Sequence, residues 1–148
     1  MRLNSLCLII FGAFSALAQS DTQAPAGQHA VLTATGKGVQ IYSCQNAQWV
    51  FQAPEAKLFD SAGNEIGTHG AGPVWTFQDG RSVKGQVVAR SDAPDAQNIP
   101  WLLLKGDGSF EYIRRSDTRG GVAPKGSCEA GRTLRVDYSA LYTFYTHR

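Results

Sequence analysis

Residues 134–144 read Leu-Arg-Val-Asp-Tyr-Ser-Ala-Leu-Tyr-Thr-Phe. Leu134, Val136, Tyr138, Ala140, Tyr142 and Phe144 recur at every second position, the period that puts side chains on one face of a β-strand. Arg135, Asp137, Ser139 and Thr143 fall on the other face, with Leu141 and Tyr145 as exceptions. Working back from this strand, residues 117–130 form a glycine-rich loop carrying Cys128. Before it, residues 110–114 form a hairpin with the apolar run 101–105, across a turn expected at Gly106-Asp107-Gly108. The run 101–105 lacks alternation, as does a strand buried on both faces. Residues 91–98 read as an exposed loop. Further β-like runs lie at residues 82–90, 74–78, 65–69, 56–59, 49–51, 39–44 and 30–35, separated by Gly, Pro, Asn and Asp. Beyond the first eighteen residues no run of ten shows helical spacing. The expected fold is therefore all-β, a single-domain sandwich or barrel of about 8–10 mostly antiparallel strands.

The N-terminus has a different character. Arg2, an apolar run over residues 3–17 and the small-x-small pattern Ala16-Leu17-Ala18 read as a secretory signal peptide over residues 1–18. The run is short of the roughly 20 apolar residues that span a bilayer, so no membrane span is expected after cleavage. Removal would leave 130 residues: a flexible leader over 19–28, then one β-domain over 29–148. The address is secreted or periplasmic. Cleavage takes away Arg2 and leaves 13 basic against 12 acidic side chains. So even a balance argues against a nucleic-acid partner or an anionic membrane surface, both of which select clustered positive charge. Cys7 leaves with the signal, and the remaining Cys44 and Cys128 are expected to form one disulfide in an oxidising compartment.

Residues 60–85 concentrate the features from which a site is built. Six glycines and Gly72-Pro73 fix the backbone around His69 and Trp75. His69 is a candidate general base, with Glu65, Asp79 or Asp60 as an orienting carboxylate. The competing reading has its ring bonded to a turn carbonyl beneath Trp75. Trp75, Tyr112 and Arg114 are candidate ligand contacts. The other histidines, His29 and His147, lie near the two ends, and their spacing gives no support to a metal site. No G-x-S-x-G nucleophile elbow occurs, and Gly36-Lys37-Gly38 lacks the third glycine and the following helix of a dinucleotide site, so no cofactor is expected.

The order of short motifs resembles the secreted domain-of-unknown-function family DUF3455. The resemblance rests on VQIYSC (39–44), Trp49 and Phe51, PEAKL (54–58), GTHGAGPVW (67–75), IPWLLL (99–104), the 114–124 stretch with GGVAP, Cys128 and YSALYTFY (138–145). Arg81 and Leu141 depart from the pattern, standing where a serine and an acid are usual. The resemblance implies a small secreted β-domain and no established activity. A malate dehydrogenase label carried by some fungal relatives conflicts with the missing cofactor motif. The chain is thus expected to be a monomeric binding or envelope-associated module for a small ligand or envelope component, the alternative being a small secreted hydrolase centred on His69.

Overall fold

The computed structural model describes residues 22–148. The expected signal peptide and the first residues of the leader lie outside them. Eight strands follow one another: β1 (His29–Gln45), β2 (Gln48–Phe59), β3 (Glu65–Gly70), β4 (Val74–Phe77), β5 (Ser82–Ser91), β6 (Trp101–Gly108), β7 (Tyr112–Gly120) and β8 (Thr133–Thr146). Each pairs antiparallel with its neighbours in sequence, and β8 returns to pair with β1, closing the sheet into an up-and-down barrel. There is no helix among the described residues, hence none long and apolar enough to cross a membrane.

The alternation of β8 sets the interior. Tyr138, Ala140, Tyr142 and Phe144 are buried, and they meet Trp75, Phe77, Leu104 and Ile113 from the facing strands. A barrel of eight strands is only just wide enough for side chains to fill, so large rings need small residues opposite them. Gly36 and Gly85 supply the space: a Cβ on Gly36 would stand 2.5 Å from the Tyr142 ring, and one on Gly85 would stand 2.9 Å from the Trp75 ring. One end is plugged by Phe77, Phe110 and Phe144, whose rings pack 4.9–5.8 Å apart, centroid to centroid.

Three local expectations change. Residues 30–35 and 39–44 are one strand, β1, as are 49–51 and 56–59, which join through Pro54 in β2. Proline is tolerated there because residues 48–55 have β1 as their only strand neighbour. Gly106-Asp107-Gly108 is strand, paired with residues 83–85, and the chain turns after it. Side chains at Gly106 or Gly108 would run into the Phe110 and Ser82 carbonyls, so these glycines serve close backbone approach. Finally, β7 extends to Gly120 and shortens the expected loop, with Thr118 buried and its hydroxyl donating to the Ile99 carbonyl at 2.6 Å.

Cys44 and Cys128 are joined, tying the loop after β7 to the end of β1. The Tyr42 hydroxyl adds a second tie, donating to the Gly121 carbonyl at 2.5 Å. Of the leader, residues 22–28 lie against the barrel: Arg114 Nε donates to the Thr22 carbonyl and Gln28 Nε2 to Glu111.

A candidate binding cavity at the open end

Opposite the phenylalanine plug the strands are of unequal height. β2 pairs with β3 only over residues 56–59, and β5 with β4 only over 82–84. The upper parts of β1–β2 and of β5–β6 therefore stand above the short β3–β4 hairpin as two walls with a gap between them. Behind the gap lies a cavity of about 250 Å³, continuous through Gln40, Phe51, Val87, Leu102 and Arg115 with an outer vestibule of about 590 Å³. The loop after β7 supplies Val122, Ala123 and Pro124 to the vestibule wall. The Cys44–Cys128 link holds that loop in place. Phe51 and Val87 are 49% and 48% exposed at the rim.

The inner wall is aromatic and polar together. His69 stacks on Trp75 with ring centroids 4.2 Å apart and planes within 10°, while Tyr142 meets both rings edge-on. His69 Nδ1 lies 3.0 Å from the Val74 carbonyl, which can only accept, so Nδ1 carries the proton and Nε2 is left as an acceptor. Burial pushes the His69 pKa down to about 4, outweighing the Val74 carbonyl, with the Arg115 charge adding to the effect. The ring is neutral at neutral pH. Tyr138 and Tyr142 share a hydroxyl contact of 3.0 Å, and burial raises the pKa of both, leaving them as neutral phenols.

Arg115 enters this wall from β7, on the same face as buried Ile113. Its Nε and Nη2 both donate to the Pro100 carbonyl, at 3.0 and 2.8 Å. It forms no ion pair with any described residue; burial lowers its pKa and the Arg90 charge adds to that, while the Tyr142 and Tyr138 hydroxyls oppose it, Tyr142 through a hydrogen bond. Gln40 Nε2 and Trp75 Nε1 are buried donors without a hydrogen bond of ordinary geometry, Gln40 acting on the Tyr138 hydroxyl only at longer range.

The residues singled out by sequence are distributed unevenly. His69 and Trp75 lie together in the cavity wall. Glu65 pairs with Lys57 at 3.0 Å and Asp79 with Arg81 at 2.8 Å, both on the exposed surface and away from His69. Asp60 caps its own turn through the Ala62 and Asn64 amides. Tyr112 and Arg114 take the phase of β7 opposite to Ile113, and Arg114 lies 5.4 Å over the Trp101 ring on the outside. Sequence reading places Arg115 in a basic knot with Arg114 and Arg119, a solvated edge first and an anion pocket second, and does not join it to Gln40 or Tyr142. The signal was available in β7, where an inward Ile113 two residues away implies an inward Arg115. No cluster of His, Cys, Asp and Glu among the described residues is fit to hold a metal; His29 and His147 belong to strand ends at the plug, far along the barrel from His69.

A family model described as a protein of unknown function, DUF3455, matches residues 25–146. The chain belongs to that family. The DUF3455 match takes in all eight strands and every residue of the cavity. No curated protein and no solved structure matches the chain. Arg81 and Leu141 stand outside the cavity: Arg81 lies over the Phe77 and Phe110 rings at the plug, and Leu141 points from the outer phase of β8.

Proposed function

We propose that this barrel is an exported binding module that takes a small, largely apolar ligand into its open end. The observation that carries the reading is the lined cavity itself: a buried floor of Trp75, Tyr142 and Leu104, exposed Phe51 and Val87 at the entrance, and polar groups converging from Gln40, His69 and Arg115. Concave, mostly apolar sites with a few placed polar groups are the usual form of a small-molecule site. Export is supported by the signal-like first eighteen residues and by the disulfide, which persists in oxidising compartments. A hydrolase centred on His69 gains less support, because its pKa near 4 makes it a weak base and Glu65 and Asp79 are engaged elsewhere.

The uncharged fluorophore N-phenyl-1-naphthylamine tests the reading on the purified protein. Its emission should rise on binding with one site per chain, and Leu102→Trp, which narrows the passage between cavity and vestibule, should abolish the rise while leaving the melting temperature within a few degrees. Equal binding by the wild type and by the narrowed variant would refute a ligand in this cavity.

A further inference from the structure

We infer that the ligand of this barrel carries a carboxylate, held end-on by Arg115; the inference rests on the binding reading above. Three observations lead to it. First, no Asp or Glu lines either the cavity or the vestibule, whereas two arginines, Arg115 and Arg90, do. A half-buried guanidinium without a counter-ion is costly to desolvate, and a protein that keeps one has a use for it. Second, the way Arg115 is held leaves half of it without a charged partner. Nε and Nη2 share one edge of the guanidinium, and that edge is spent on the Pro100 carbonyl. The opposite edge, formed by Nη1 and the second hydrogen of Nη2, is the planar fork that matches the two oxygens of a carboxylate, and the other group hydrogen-bonded to the guanidinium is the hydroxyl oxygen of Tyr142, a neutral acceptor that a carboxylate outcompetes. The Pro100 carbonyl fixes the plane of this fork before any ligand arrives.

Third, the surrounding groups are donors in surplus. Trp75 Nε1 is buried in the same wall with no acceptor, and Gln40 Nε2 has only the Tyr138 hydroxyl at longer range, although buried polar groups are almost always paired. The neutral Tyr142 hydroxyl oxygen accepts from the guanidinium, so its own hydrogen is left to donate. An acceptor-only head group satisfies such a wall, and an ammonium or a cationic ligand is repelled by it. The apolar remainder of the ligand would leave past Leu102 and Val87 toward Phe51, so the preferred molecule is an aryl or alkyl monocarboxylate, head inward.

The test compares two molecules of the same shape, 4-phenylbutyrate and 4-phenylbutan-1-ol, by calorimetric titration of the disulfide-intact protein at pH 7, with N-phenyl-1-naphthylamine as an uncharged control. The acid should bind at least tenfold more tightly than the alcohol. Arg115→Gln should remove that preference, and Arg115→Lys, which keeps the charge and loses the fork, should retain only part of it. The wild-type comparison stands even where a variant folds poorly. Equal affinity for acid and alcohol overturns the carboxylate while the apolar cavity survives. A preference for the acid that persists in a folded Arg115→Gln variant overturns Arg115 as its holder. Binding of none of the three molecules overturns the cavity reading and this inference with it.

Discussion

At the scale of single residues, Trp75 and His69 form one stacked unit whose two members make different predictions. Trp75 is 1% exposed and touches His69, Tyr142 and Phe144, so truncating it leaves a void the closed barrel cannot collapse into. Trp75→Ala should cost about 3–5 kcal/mol of stability, read from the urea midpoint. For His69, the folded pKa near 4 lies below the ordinary 6.5. The unfolded chain therefore binds the proton more readily, and the stability associated with a neutral ring is complete above about pH 6.5 and lost as pH falls toward 4. The loss is on the order of 3 kcal/mol. His69→Asn, whose Nδ2 stands in for Nδ1–H toward Val74, should flatten the stability profile over that interval; a wild-type profile already flat between pH 6.5 and 4 would exclude a buried neutral ring. Both residues were legible in the sequence from the glycines and proline around them. Arg115 was legible only as part of a basic knot, because Arg114 beside it has the same chemistry and it takes the phase of β7 to tell which of the two faces inward.

At the scale of elements, the interior is fitted by pairing glycine with a ring. Gly36 in β1 faces Tyr142 in β8, and any side chain there must displace the ring. Gly36→Val should destabilise by about 1–3 kcal/mol through overpacking. Combining it with Tyr142→Leu, which vacates the space, should cost clearly less than the two changes added separately. Strict additivity in that double-mutant cycle would mean that the two positions do not compete for room. Element type was readable wherever alternation ran long, as in β8. Boundaries were not: Gly106 and Gly108 carry the composition of a turn and occupy a strand, because a glycine admitted for close backbone approach has the same letter as one that turns the chain, and Gly108 combines that approach with a φ of 135°.

For the whole molecule, the sequence specified an all-β domain but not its closure. Period-two patterning is the same in a sandwich and in a barrel, since both bury one face of every strand. Closure depends on the pairing of β1 with β8, a contact between the two ends of the domain that no local pattern reports. The disulfide is likewise a long-range tie, spanning 84 positions in sequence. Loop-closure arithmetic for that length sets about 4–5 kcal/mol as a ceiling, and reduction should lower stability by about 2–4 kcal/mol. The bridge also positions the loop that walls the vestibule. Reduction under conditions that keep the barrel folded should therefore weaken binding of N-phenyl-1-naphthylamine, and unaltered binding would show that the loop holds its place without the bridge.

Pairing the first strand with the last also brings His29 alongside Thr146, next to Phe144 and the phenylalanine plug. The β1–β2 turn and the β7–β8 loop stand at the other end, around the entrance. A domain anchored through either end of this strand pair therefore stands on its plug with its mouth pointing away from the support. Coupled to a bead or a sensor chip by a tag after Arg148, the protein is held plug-down, and every molecule on the surface presents an unobstructed entrance to the flowing solution.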